Sequence, residues 1–241
     1  MSFDALAPHY RWMEFVLAGE KLQRCRTRFL GAVASPQRIL LLGEGHGRCL
    51  TECCRRFPHA QITCADASAN MLAQAERRLK GSGRGGAQVQ FIHADVLDWK
   101  PPPRSFDLVI TNFFFDCFRA DQVARIVSSI AAVTAPHADW LVADFQMPSS
   151  GLKRVRAQVI LWMMYAFFRM ATQLPAKRLT TPDCSLRCAG FTLHRRIDAE
   201  WGLLCSDWWR RAPAGEEGSH GNALREISSG KCASEAYALD V

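Results

Sequence analysis

The sequence predicts an α/β fold, a doubly wound and mostly parallel sheet that closes with a C-terminal antiparallel hairpin. Three observations predict it. From about residue 38, short β-rich apolar runs alternate with longer helical patterns, as expected of a parallel sheet covered by helices. A glycine-rich turn, Gly43-Glu44-Gly45-His46-Gly47, directly follows the first apolar run and precedes a helical pattern. Two runs near the C-terminus are joined so closely that they must pair antiparallel.

Upstream of the sheet, residues 4–30 place Tyr10, Trp12, Met13, Phe15, Val16, Leu17 and Leu22 at loose helical spacing. That pattern suits one or two helices on a sheet edge, or a helical lid over a ligand. Strands are expected at 38–42, 61–65, 89–92, 106–111 and 140–144, where β-branched and aromatic residues cluster between turn signals. Helices are expected at 48–57, at 69–80 with Ser68 as N-cap, and at 120–134, where Val123, Ile126, Val127 and Ile130 share one face. Residues 151–174 read as a long apolar and aromatic helix, followed by the hairpin strands at 191–197 and 202–209. The Gly-, Ser- and Glu-rich residues 212–241 lack periodicity and read as a flexible tail.

Composition narrows the function classes. Hydrophobic residues at 49% and charged residues at 22% are ordinary globular usage and exclude a disordered body. The +7 formal charge is dispersed in pairs such as Arg55-Arg56 and Arg210-Arg211, with no basic tract or aromatic platform, which argues against nucleic-acid binding. The apolar stretch 159–168 is half the length of about 20 residues that a membrane span needs, so it reads as a buried helix or a pocket wall. The N-terminus shows no secretory pattern, and a cytoplasmic protein with reduced, packed cysteines is expected. Cys49, Cys53 and Cys54 form no CxxC pair and Cys184 with Cys188 has no matching histidines, so no metal site is expected.

Glycines suit a sharp strand-to-helix turn against which a ligand lies. Asp66 ends the second strand about 20 residues on, where a carboxylate can accept both hydroxyls of a ribose. Asp95 ends the third strand, placed to accept from an adenine amino group. Both acids could instead cap the helices that follow them. The GxGxG pattern lacks the third glycine of GxGxxG.

Through Leu41-Leu42-Gly43-Glu44-Gly45-His46-Gly47, Asp66 to Leu72, Asp95 and the run 106–110, the chain resembles the class I S-adenosylmethionine-dependent methyltransferases over roughly residues 30–210. The resemblance implies a Rossmann-like domain at 31–211, with 1–30 as lid or edge and 151–188 as a helical elaboration on the acceptor side. It implies S-adenosyl-L-methionine as cofactor. Gly43, Glu44, Gly45 and Gly47 would meet its methionine part, Asp66 the ribose, Ala67 and Met71 the adenine surroundings, and Asp95 with Val96 the adenine. The segment from Asn112 to Phe115 would face the methionine moiety and the acceptor. Leu41 stands where many members carry an acid for the methionine amino group. Glu44 is the substitute within the turn, or a carboxylate favoured at a helix N-terminus.

Trp162, Met163, Met164, Tyr165, Phe167 and Phe168 suggest a small apolar or aromatic methyl acceptor. Asp116, Asp144 and His194 are the candidates for a general base, should the acceptor need one. Two other readings use the same turn: a non-catalytic binding module of this fold, and an NAD-dependent oxidoreductase, against which the terminal hairpin and the missing Tyr-x-x-x-Lys pair speak. The acceptor atom and the oligomeric state are not written in the sequence.

Overall fold

A computed structural model of the chain describes residues 19–83, 87–103, 106–171 and 179–211. Its centre is a seven-stranded sheet of β1 (Arg38–Leu42), β2 (Gln61–Asp66), β3 (Gln88–His93), β4 (Phe106–Asn112), β5 (Thr134–Phe145), β6 (Phe191–Ala199) and β7 (Leu204–Arg211). The strand order is β3-β2-β1-β4-β5-β7-β6. Strands β1 to β5 pair in parallel, whereas β7 pairs antiparallel with both β5 and β6. The doubly wound sheet and its closing hairpin are thus as the sequence predicts. Six helices flank it among the described residues: α1 (Gly19–Thr27), α2 (Arg48–Arg56), α3 (Ala69–Gly81), α4 (Ala120–Ala131), α5 (Gly151–Ala171) and α6 (Asp183–Cys188).

Side chains alternate across each strand, so every central strand feeds two cores. Ile39 and Leu41 join Leu50, Cys53, Leu72 and Ala75 under α2 and α3, while Leu40 and Leu42 join Val123, Ile126, Val127 and Ile130 of α4 on the other face. A third cluster lies around the carboxyl end of β5, where Leu161 and Met164 of α5 meet Phe145, Leu204 and Leu22 of α1. Two buried indoles find partners: Trp140 Nε1 donates to Thr111 Oγ1 at 3.0 Å and Trp208 Nε1 to Asp139 Oδ1 at 2.7 Å. Asp107 clamps the amino end of β1, accepting from the amides of Gln37 and Arg38 at 2.8 and 2.9 Å.

Three expectations need revision. Strand β5 begins at Thr134 rather than near 140, with a register shift against β4 between Phe106 and Leu108, so α4 stops at Ala131. The helical elaboration expected at 151–188 includes a second, short helix, α6, beyond the single long helix expected at 151–174. Helix α5 is not wholly buried: Val159, Trp162 and Met163 are each about half exposed, at 52%, 51% and 53%. Among the described residues eight cysteines are free thiols and six of these are buried, while Cys184 is disulfide-bonded. Residues 1–18 of the expected lid, and the expected tail 212–241, lie outside the described residues.

Candidate functional site

Between β1 and β4 the strand order reverses direction, and open α/β sheets bind ligands outside the carboxyl ends of strands at such a switch point. The glycine turn sits there. Gly43, Gly45 and Gly47 all have left-handed φ, at 64°, 63° and 77°, but their bare α-carbons serve different neighbours. A Cβ on Gly43 would stand 2.4 Å from the Phe114 ring, and one on Gly47 would stand 2.7 Å from Ala75 Cα of α3. Above Gly45 nothing lies within 4 Å. Gly47 therefore lets α2 and α3 close on each other, while Gly45 leaves an open shelf.

Asp66 holds that shelf in place. Its Oδ2 accepts from Gly45 N at 3.2 Å, and its Oδ1 accepts from Ser68 N at 2.9 Å, bending the chain into α3. Ser68 then caps α3 by accepting from Met71 N at 3.2 Å, as expected. Glu44 takes the role of α2's missing cap: its Oε1 accepts from Cys49 N at 2.7 Å and Leu50 N at 3.1 Å. Burial pushes its carboxyl up to about 7, against the favourable pull of those amides and of Arg26. Of the two roles open to Glu44 in the sequence, the structure displays the helix-terminal one.

A raised carboxyl pKa stabilises the fold only while the group is protonated. Glu44's contribution is complete below its ordinary value of 4.5 and is lost as pH rises through about 7. Glu44→Gln keeps an acceptor for the two amides and is expected to recover about 1–3 kcal/mol of stability at pH 8 relative to pH 5. Denaturant midpoints at the two pH values measure it; an unchanged pH slope in the variant would reject this account.

At the ends of β4 and β5 the polar groups are less settled. Asn112 is buried, and both of its amide atoms lack a hydrogen-bond partner among the described residues. Phe113 follows with φ 51°, a strained value for a side chain of this size, and the buried Arg26 guanidinium lies 5.1 Å from its ring centroid. The chain then enters a short 3₁₀ turn, Phe115–Cys117, that brings Asp116 towards Asp144 of β5. Asp144 Oδ1 accepts from Phe145 N at 2.8 Å, and its buried Oδ2 has no partner among the described residues. Burial raises Asp116 to about 6; burial and then the charge of Asp116 raise Asp144 well above the usual carboxylate range. Cys117 donates its thiol to Asp116 Oδ1 at 3.5 Å.

The other expected residues divide. Asp95 is half-buried just past the end of β3, where its Oδ1 accepts from Leu97 N at 3.0 Å. Met71 is buried in the first turn of α3, and Ala67 and Val96 are half-buried in the segments that follow β2 and β3. His194 is not brought to the site. It is exposed at the bulge of the edge strand β6, with its ring 4.7 Å from that of Trp208, and β7 and β5 separate it from β4. Residues past a sheet's antiparallel return cannot be placed by local pattern, which is why sequence reasoning misassigns it. Arg26, conversely, is missed, because a single basic residue in a helical stretch carries no local mark of burial. No group of His, Cys, Asp and Glu side chains suited to a metal is present among the described residues.

A mostly parallel sheet with a glycine shelf at its switch point, two strand-end acids and a reversed C-terminal strand pair defines a cofactor-binding α/β domain of the methyltransferase kind. Residues 39–137 match the family model described as "Methyltransferase domain". Over these residues the chain is similar to the class I S-adenosylmethionine-dependent methyltransferases. It is 38% identical to a trans-aconitate 2-methyltransferase of Rhodopseudomonas palustris over 33% of this chain and 28% of that protein. It is 37% identical to a tRNA1(Val) (adenine(37)-N6)-methyltransferase of Vibrio cholerae over 32% of each chain. The match thus spans about a third of the length of these relatives. The magnesium protoporphyrin IX methyltransferase of Synechocystis, solved with bound SAH, shares the fold at TM-score 0.58 and 14% identity, covering 80% of this chain and 82% of that one. The site's residues fit the cofactor of this class: the shelf above Gly45 is open, Asp66 and Asp95 end adjacent strands, and the Asn112 amide is buried with hydrogen-bonding capacity to spare.

Proposed function

We propose that the chain transfers a methyl group from S-adenosyl-L-methionine to a small, apolar or aromatic acceptor at the carboxyl ends of β4 and β5. The observation that carries this reading is the buried polar set at that place, where the Asn112 amide and Asp144 Oδ2 have no partner among the described residues. Buried polar atoms are ordinarily satisfied, and a bound ligand supplies what this set lacks. When bound, S-adenosylmethionine supplies a methyl group on a sulfonium sulfur, already activated for in-line displacement.

In this reading Gly45 presents bare backbone, Asp66 holds the ribose hydroxyls, and Asp95 with Val96, Ala67 and Met71 borders the adenine. Asn112 holds the methionine end, with Gly43, Glu44 and Gly47 shaping the turn beneath it. Phe113 and Phe145, their ring centroids 5.2 Å apart, and Phe114, 5.0 Å from Phe118, give the acceptor apolar walls. The Asp116–Asp144 pair, short of its full charge, accepts the proton that a hydroxyl or amine acceptor releases as its methyl bond forms.

Labelled S-adenosylmethionine incubated with an acceptor panel, tRNA included, tests the reading. A methylated aromatic or apolar product supports it, and products confined to hydrophilic molecules or to RNA overturn the acceptor assignment. For the cofactor, Asp66→Ala is expected to weaken S-adenosylmethionine binding by about 1–3 kcal/mol, the range for hydrogen bonds to a charged group. Calorimetric titration of the folded variant measures this, and an unaltered affinity would remove Asp66 from the ribose.

A further inference from the structure

Helix α5 carries apolar side chains on two opposite sides. Ala157, Leu161 and Met164 face the third core cluster. Leu152, Val155, Val159, Trp162 and Met163 recur at helical spacing on the far side, and all are exposed, Leu152 at 87%. The core explains the first stripe and leaves the second without a role. Continuous exposed apolar stripes on a folded surface mark places of interaction.

The surroundings of the stripe are basic. Lys153, Arg154 and Arg156 belong to α5, and the helix contains no Asp or Glu. At the edge of the stripe Arg156 donates to Glu200 O at 3.2 Å and lies 5.5 Å from the ring centroid of Trp201. Trp201 is 68% exposed and is held out by a tight β6–β7 turn in which Glu200 and Trp201 have φ of 51° and 61°. An exposed indole, a stripe of Leu, Val, Trp and Met, and basic side chains along its border are the composition of a helix that lies in a lipid interface.

We propose that the outer face of α5, together with Trp201, docks the protein onto an anionic lipid surface. The helix lies on the bilayer and does not cross it, since no helix among the described residues is long and apolar enough to span. A second copy of the chain is a poorer occupant. A two-fold contact through this stripe sets each basic border near its own copy, with no acid on α5 to meet it. Lipid phosphates answer both features, the apolar stripe entering the acyl boundary and the basic border meeting the headgroups.

The test uses the full chain and sedimentation with phosphatidylcholine vesicles prepared with or without phosphatidylglycerol. Binding is expected to the phosphatidylglycerol vesicles alone and to fall as salt is raised. Val159→Glu, which removes the apolar stripe's centre, is expected to cut partitioning at least about ten-fold. Lys153→Glu reverses one charge and is expected to cut it roughly thirty-fold, at about five-fold for each unit of charge. Both residues are exposed, so both variants should retain the wild-type melting temperature and affinity for S-adenosylmethionine. No sedimentation with either vesicle overturns the proposal, as does equal binding to neutral vesicles or binding indifferent to both substitutions. So does a dimer in sedimentation velocity that Val159→Glu dissociates, which would hand the surface to a second copy.

Discussion

Asp144→Asn is expected to lower turnover by about 10²- to 10⁴-fold on a hydroxyl or amine acceptor, the range for a positioned acid–base group. Affinity for S-adenosylmethionine should stay close to that of the wild type. Asparagine keeps an oxygen for the Phe145 amide but cannot take up the acceptor's proton, so the substitution separates chemistry from architecture. In the wild type, kcat/KM should rise as pH climbs through about 6, where Asp116 gives up its proton, because the pair then has room for the acceptor's. The same burial makes the ionised pair a burden on the fold. A carboxyl raised from 3.8 to about 6 gives its full stabilisation below pH 3.8 and loses it through pH 6. The Asn variant should therefore melt higher than the wild type near pH 7 while turning over more slowly. Full activity of the variant with the acceptor identified by the panel would remove the pair from catalysis.

Gly47→Ala is expected to destabilise the protein by about 2–5 kcal/mol, combining a left-handed φ in a residue with a side chain and an overpacked contact. The cause is Ala75, whose Cα would lie 2.7 Å from the new methyl group and which belongs to backbone that cannot swing aside. Gly45→Ala meets no such neighbour and should cost only the conformational part. In cofactor binding the order reverses, since the Gly45 methyl would project into the open shelf. Paired denaturant and calorimetric titrations read both effects. Equal losses of stability in the two variants would show that α2 and α3 do not depend on the bare carbon at position 47.

The sheet was legible in the sequence because its signal is local. Runs such as Arg38–Leu42 are apolar on both faces, which only a strand between two helical layers requires. The turn residues Gly43, Gly45 and Gly47 and the acids Asp66 and Asp95 follow from where strands end. What local pattern does not carry is the partner of each group. Glu44 is a residue in a loop until the first amides of α2 fold back on it, and Asp116 gains its neighbour Asp144 only through the pairing of β4 with β5. His194 failed for the same reason, its distance from the site being set by the strand order. Helix α5 misled in another way, since an apolar helix reads alike whether its second face is covered or bare.

If the chain transfers methyl groups as proposed, Cys117 bears on how it survives its own reagent. A sulfonium methyl donor alkylates any good nucleophile held in line with it, and a thiolate is among the best. Cys117 lies beside the carboxyl pair, yet burial and then the charge of Asp116 push its thiol well above its ordinary pKa. Cys53, Cys54 and Cys64, in the core beside the glycine turn, are likewise shifted upward, chiefly by burial or, for Cys53, by its contact with the Cys49 thiol. In the proposed reading, burial and the carboxyl pair hold these thiols protonated, so the acids assigned to the acceptor would also spare the protein from methylating itself.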